Sequence, residues 1–131
     1  MYRILGIFVL SLMVVACSNA QEGEGVESGK QEKAVITLVP ADKFKELMKD
    51  EEAQLLDVRT PEEYSRGKIG DAVNMNFFDA DFKEQVATLD KSKPVLIYCA
   101  AGGRSAKVVS IMEGMGFKEI HELKGGYGNW K

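Results

Sequence analysis

From residue 34 onward, short runs of branched apolar residues alternate with stretches in which apolar side chains return every three or four positions. The runs read as strands and the spaced stretches as amphipathic helices, and their alternation predicts a parallel sheet covered by helices. A first strand is expected over 35–38. Pro40 then opens a helix that buries Phe44, Leu47 and Met48. A second strand, 54–58, leads into Thr60-Pro61-Glu62-Glu63, which has the spacing of a capping box with Pro at the first helical position. A short strand over 72–75 precedes a helix over 81–89 that buries Phe82, Val86 and Leu89, with Phe77 and Phe78 packing nearby. Residues 94–98 form the most apolar run of the domain, as expected of a central strand covered on both sides. A helix over 105–114 offers Val108, Val109, Ile111 and Met112 for burial and stops near Gly114 to Gly116. A last strand, 120–123, leads to Gly125-Gly126.

The amino-terminal pattern is of another kind. After Arg3, residues 4–16 are almost continuously apolar, too short to span a bilayer comfortably and suited to the apolar region of a secretory signal. The run closes on Val14-Val15-Ala16-Cys17, which resembles the bacterial lipobox. That resemblance implies that cleavage makes Cys17 the lipidated first residue, and two or three acyl chains make a durable anchor. The expectation is an extracytoplasmic lipoprotein, periplasmic or at the cell surface, touching the membrane through its lipid alone. Residues 18–33, SNAQEGEGVESGKQEK, have the composition of a flexible tether. The chain therefore divides into a signal peptide (1–16), the lipidated cysteine with its tether (17–33) and one domain (34–131).

Composition adds exclusions. The chain has 131 residues, 45% of them hydrophobic and 28% charged, which suits one folded domain. Its net charge of −3 leaves no broad basic footprint for nucleic acid. Its two cysteines are too few for the disulfide framework of a small secreted domain. Cys99 thus needs its own explanation. It leaves the carboxyl end of the central strand and faces the start of a helix, where unpaired N–H groups and roughly half a positive charge favour an anion. The same field lowers a cysteine pKa from about 8.5 and so favours the thiolate, the attacking species. Gly102 and Gly103 let the loop turn its amides inward as a nest around the sulfur.

Four motifs carry a further resemblance. Leu56-Asp57-Val58-Arg59-Thr60-Pro61-Glu62-Glu63-Tyr64, Gly67-Lys68-Ile69-Gly70-Asp71-Ala72, the loop from Tyr98-Cys99 to Arg104-Ser105, and Gly125-Gly126-Tyr127-Gly128-Asn129-Trp130 stand in the order of the rhodanese signatures. Residues 35–131 therefore resemble the rhodanese family of sulfurtransferases. The resemblance implies a three-layer α/β fold with a mostly parallel five-stranded sheet and helices on both faces. It also implies a double displacement: Cys99 takes sulfur from a donor such as thiosulfate or a persulfide, holds it as a persulfide, and passes it to a thiol, cyanide or a protein acceptor. The backbone amides of Ala100, Ala101, Gly102, Gly103, Arg104 and Ser105 would bind the anionic donor, with no metal and no organic cofactor. A monomer is expected.

Other residues read as support. Asp57 and Arg59 are expected to anchor the end of their strand. Two placements stay open for Arg104, at the loop mouth on a donor's oxygens or beneath the loop on Asp57 or on carbonyls. His121 reads as structural or surface, and Trp130 as a core plug at the chain end. Lys68 stands where many relatives carry histidine, a departure that leaves no role assigned to that position. The loop holds four residues between Cys99 and Arg104, whereas phosphatases of the same overall fold hold five. The shorter cradle suits a sulfur bound to cysteine better than a phosphate. Ala100 and Ala101 add no positive charge next to the thiol, so a thiosulfate dianion is expected to bind weakly. A low-turnover sulfur carrier or protein-binding module is the alternative reading.

Overall fold

The computed structural model describes residues 32–131. The expected signal peptide, Cys17 and most of the tether lie outside the described residues. Ten elements follow in order: β1 (Val35–Val39), α1 (Ala41–Leu47), β2 (Gln54–Asp57), α2 (Pro61–Ser65), β3 (Val73–Asn74), α3 (Phe82–Val86), β4 (Val95–Tyr98), α4 (Gly103–Gly114), β5 (Glu119–Leu123) and a 3-10 turn over Gly126–Asn129. The five strands form one sheet in the order β1-β5-β4-β2-β3. Every pairing in it is parallel, so the "mostly" of the sequence expectation is not needed.

The central strand is β4, and all four of its residues are buried. Period-two alternation sends Val95 and Ile97 to one layer, where they meet Phe82 and Val86 of α3 and Val108, Val109 and Met112 of α4. Leu96 and Tyr98 go to the other, with Phe44 of α1 and Leu123. Helices thus cover both faces, and the near-continuous apolar character of β4 follows from that double burial. Each such side chain is worth about 1.5–3 kcal/mol when fully buried. The strand that leads to Cys99 is accordingly held on both sides.

Boundaries differ from the sequence expectation for local reasons. β1 runs on to Val39, whose partner in the register is Leu123. β2 stops at Asp57, although Val58 is fully buried and its N–H still reaches the Tyr98 carbonyl at 3.1 Å. The strand expected over 72–75 shortens because the Ala72 N–H turns back to the Ile69 carbonyl at 3.1 Å. The helix expected over 81–89 is regular only to Val86. Beyond it, Leu89 N–H bonds to Val86 in a tighter turn at 3.1 Å. The helix after Cys99 begins at Gly103, two residues earlier than expected. Trp130 is half-buried rather than a core plug, edge-on to Phe44 at 6.0 Å with the Lys45 ammonium 5.0 Å from its ring centroid.

Candidate active site: a thiol in a short amide cradle

Cys99 follows the last residue of β4 and is buried, with 1% of its surface exposed. It is the free cysteine among the described residues. The loop beyond it is shaped from below. Tyr127 N–H donates to the Cys99 carbonyl at 2.8 Å, and Gly128 N–H to that of Ala100 at 3.0 Å. Because a trans peptide directs its N–H opposite its C=O, tying these carbonyls to the 3-10 turn aims the N–H groups of Ala100 and Ala101 away from that turn. Gly126, at φ +63°, makes the approach possible: a Cβ there would lie 2.5 Å from the Cys99 carbonyl oxygen. The closing glycine-rich motif is therefore the floor of the loop.

The loop proper spans Ala100, Ala101 and Gly102. Gly102 is the N-cap of α4 at φ +107°, a left-handed conformation that favours glycine. Its N–H donates to Cys99 Sγ at 3.1 Å. Gly103 and Arg104, expected in the loop, instead form the first turn of α4 with Ser105, so the sulfur faces a helix amino terminus directly. The Ser105 hydroxyl lies 3.4 Å from Sγ, 3.2 Å from the Gly102 carbonyl and 2.6 Å from Glu122 Oε1. Burial pushes the thiol pKa up, but hydrogen bonds from the Ser105 hydroxyl and N–H and from the N–H groups of Gly102 and Ala101 outweigh it. The net shift is downward.

Arg104 does not pair with Asp57. Its guanidinium is held bidentately by Glu63, Nη1 to Oε2 at 2.7 Å and Nη2 to Oε1 at 2.8 Å. Glu63 also closes the capping box of α2, accepting from Thr60 N–H at 2.9 Å. The Arg104 hydrogen bond, with a smaller contribution from Thr60, overcomes partial burial and pulls the Glu63 carboxyl down to about 2. Asp57 belongs to Arg59. The Arg59 Nε and Nη2 groups donate to that carboxylate at 2.7–3.1 Å, Nη2 reaches the Gly67 carbonyl at 2.6 Å, and the guanidinium lies 4.1 Å from the Tyr127 ring centroid. Asp57, Arg59 and Tyr127 thus join the end of β2 to the floor of the loop.

Two residues of the site were not singled out from sequence. In sequence Glu63 reads as a capping residue within the first signature, and nothing local indicates a partner 41 residues away. Glu122 left a signal: it shares the parity of buried Ile120 on β5, which directs a carboxylate toward the layer that contains α4. His121, on the opposite parity, sits 2.5 Å from Thr37 Oγ1 and 2.7 Å from Glu119 Oε1. Lys68 donates to the Tyr64 hydroxyl at 3.0 Å. A cleft of about 480 Å³ opens between Met48, Gln54, Leu55, Gly70 and Leu89, but no residue of the Cys99 loop lines it. The thiol and its donors locate the chemistry, and cleft size does not.

Comparison with known proteins places this arrangement. The chain is 36% identical over 86 residues to the thiosulfate sulfurtransferase GlpE of Coxiella burnetii, covering 66% of this chain and 78% of that one. It is 38% identical over 82 residues to the putative sulfurtransferase YtwF of Bacillus subtilis, covering 63% and 77%. The crystal structure of a rhodanese-like domain protein from Staphylococcus aureus superposes with a TM-score of 0.64 at 30% identity, over 72% of this chain and 91% of that one. The family model of the rhodanese-like domain matches residues 40–131, a span that holds both the thiol cradle and its floor, and the chain belongs to the rhodanese-like family.

Proposed function

We propose that this protein transfers sulfane sulfur through a persulfide on Cys99, and that it takes the sulfur from a persulfide donor in preference to thiosulfate. In the first half-reaction the Cys99 thiolate attacks the outer sulfur of R–S–SH. The Cys99 S–S bond forms, the donor S–S bond breaks, and its electron pair leaves on the thiolate R–S⁻. In the second, a thiol or cyanide attacks the outer sulfur of the Cys99 persulfide and regenerates the Cys99 thiolate. Sulfurtransferase relatives and the lowered thiol pKa support the reaction class.

The observation that carries the donor preference is the bidentate grip of Glu63 on Arg104. Arg104 is the only cationic side chain from Cys99 through Ser105, and its charge is already neutralised. Ala100 and Ala101 add none. A dianion such as thiosulfate would find amides and a guanidinium already paired with a carboxylate, whereas a singly charged or neutral persulfide asks for less compensation. The test compares kcat/KM for thiosulfate and glutathione persulfide. The persulfide should be the better substrate, and Glu63→Gln, by releasing Arg104, should raise the thiosulfate value roughly two- to fivefold. A higher kcat/KM for thiosulfate in the unmodified protein would overturn the preference.

One observation supports the reading of a carrier that serves a protein partner: Phe78, 66% exposed, has its ring centroid 5.8 Å from the Arg104 guanidinium carbon. Such an aromatic beside a nearly uncharged mouth suits a docked protein surface. The lipobox-like residues 14–17 support an extracytoplasmic protein anchored through Cys17. Labelling cells with radioactive palmitate should mark the chain, and Cys17→Ala should abolish the label.

A further inference from the structure

Ser105 has one hydroxyl hydrogen and three acceptors within reach. Cys99 Sγ lies at 3.4 Å, the Gly102 carbonyl at 3.2 Å and Glu122 Oε1 at 2.6 Å. A hydroxyl serves one strong acceptor at a time, and a carboxylate oxygen at 2.6 Å is a charge-assisted partner, the strongest of the three. Ser105 is fully buried at the third position of α4, so its hydroxyl has no water to turn to. The strand register fixes the geometry: Glu122 pairs with Ile97, two residues before Cys99 on β4.

We propose that Glu122 is a positioning residue: its carboxylate, at 2.6 Å, competes with Cys99 Sγ, at 3.4 Å, for the Ser105 hydroxyl hydrogen and weakens that donor, leaving the thiolate bound chiefly by backbone N–H groups. A thiolate with a weaker donor is more basic and a stronger nucleophile, since intrinsic reactivity falls as thiol pKa falls. Glu122 thereby opposes part of the stabilisation that the cradle supplies. The proposal rests on Cys99 as the working thiol.

The charged groups around that thiol are few. From α4, Arg104 faces it, with Glu63 of α2 behind. From β5, Glu122 reaches it through Ser105. At the end of β2, Asp57 and Arg59 are engaged with each other and with the tyrosine rings beneath the loop. His121, on the other parity of β5, is taken up by Thr37 and Glu119.

Glu122→Gln keeps the shape and lets an amide N–H donate to Ser105, which frees the hydroxyl hydrogen for the sulfur. Alkylation of the full chain by iodoacetamide across pH, followed by mass spectrometry on the peptide containing Cys99, reads the result. Glu122→Gln should lower the midpoint by roughly 0.5–1 pH unit. It should also reduce the plateau rate at high pH. In a Ser105→Ala background the same substitution should move the midpoint by less than a third as much. Glu122→Ala carries the same expectation and stands in if the glutamine variant misfolds. An unchanged midpoint, or an equal shift with and without the Ser105 hydroxyl, would overturn the proposal. Because alkylation reads the resting thiol, a protein that shows the shift yet accepts no sulfur would refute the proposed function and leave the role of Glu122 standing.

Discussion

Asp57 and Arg59 are 0% and 3% exposed and satisfy each other, with the Gly67 carbonyl and two tyrosine rings completing the guanidinium's surroundings. Removing one partner would leave a buried charge without compensation. Asp57→Ala should therefore cost about 3–5 kcal/mol in a denaturant titration. Glu63 behaves differently because it is partly exposed. Its carboxyl in the folded protein, held near 2, lies below the ordinary value of 4.5. Its ion pair therefore stabilises the fold fully above about pH 4.5, and that contribution is lost as pH falls toward 2. Acid unfolding of Glu63→Gln should be correspondingly less steep in this window, as followed by circular dichroism. At this scale the chain is legible where its chemistry is local. Cys99 could be singled out because the strand, the glycines and the helix start that activate it are its neighbours. Glu63 and Glu122 could not, because Arg104 and Ser105 are brought to them by packing across 41 and 17 residues.

Elements decide what each glycine of the site is for. The sequence offered Gly102-Gly103 as a pair that turns the loop, but the two differ in the folded chain. Gly102 holds a left-handed φ of +107°, whereas Gly103 is the first residue of α4 and a Cβ there would meet nothing within 4 Å. Gly103→Ala should raise stability by about 0.4–1 kcal/mol, through reduced freedom of the unfolded chain. Gly126→Ala should act in the opposite direction, because its Cβ would press on the Cys99 and Ala100 carbonyl groups at 2.5–2.8 Å. A loss of roughly 1–3 kcal/mol is expected, together with loss of sulfur uptake as the loop lifts from its floor. Thermal melts of both variants check the pair. Strands and helices were legible because their apolar periods are strong. Their ends were not, since short-range turns set them: the Ala72 N–H bonds back to the Ile69 carbonyl before β3, and the Ala106 N–H bonds back to the Gly102 carbonyl at the start of α4.

Across the whole domain, parallel strands gather their carboxyl ends on one edge of the sheet, and the chemistry follows. Asp57 ends β2, Cys99 follows β4, and Glu122 sits one residue before the end of β5. Four motifs that lie far apart in the chain thus become one site, with the closing glycines beneath the thiol and the capping helix beside its mouth. That convergence explains why the family resemblance reached the fold and the thiol, while the partnership of Glu63 with Arg104 required the folded chain. The proposed function makes Cys99 the carrier of the transferred sulfur. The intact mass of the full chain, measured after incubation with glutathione persulfide and removal of excess donor, addresses it most directly. One added sulfur atom on Cys99 is expected, released by cyanide as thiocyanate and absent in Cys99→Ser. No added sulfur on Cys99, or the same increment in Cys99→Ser, would contradict it.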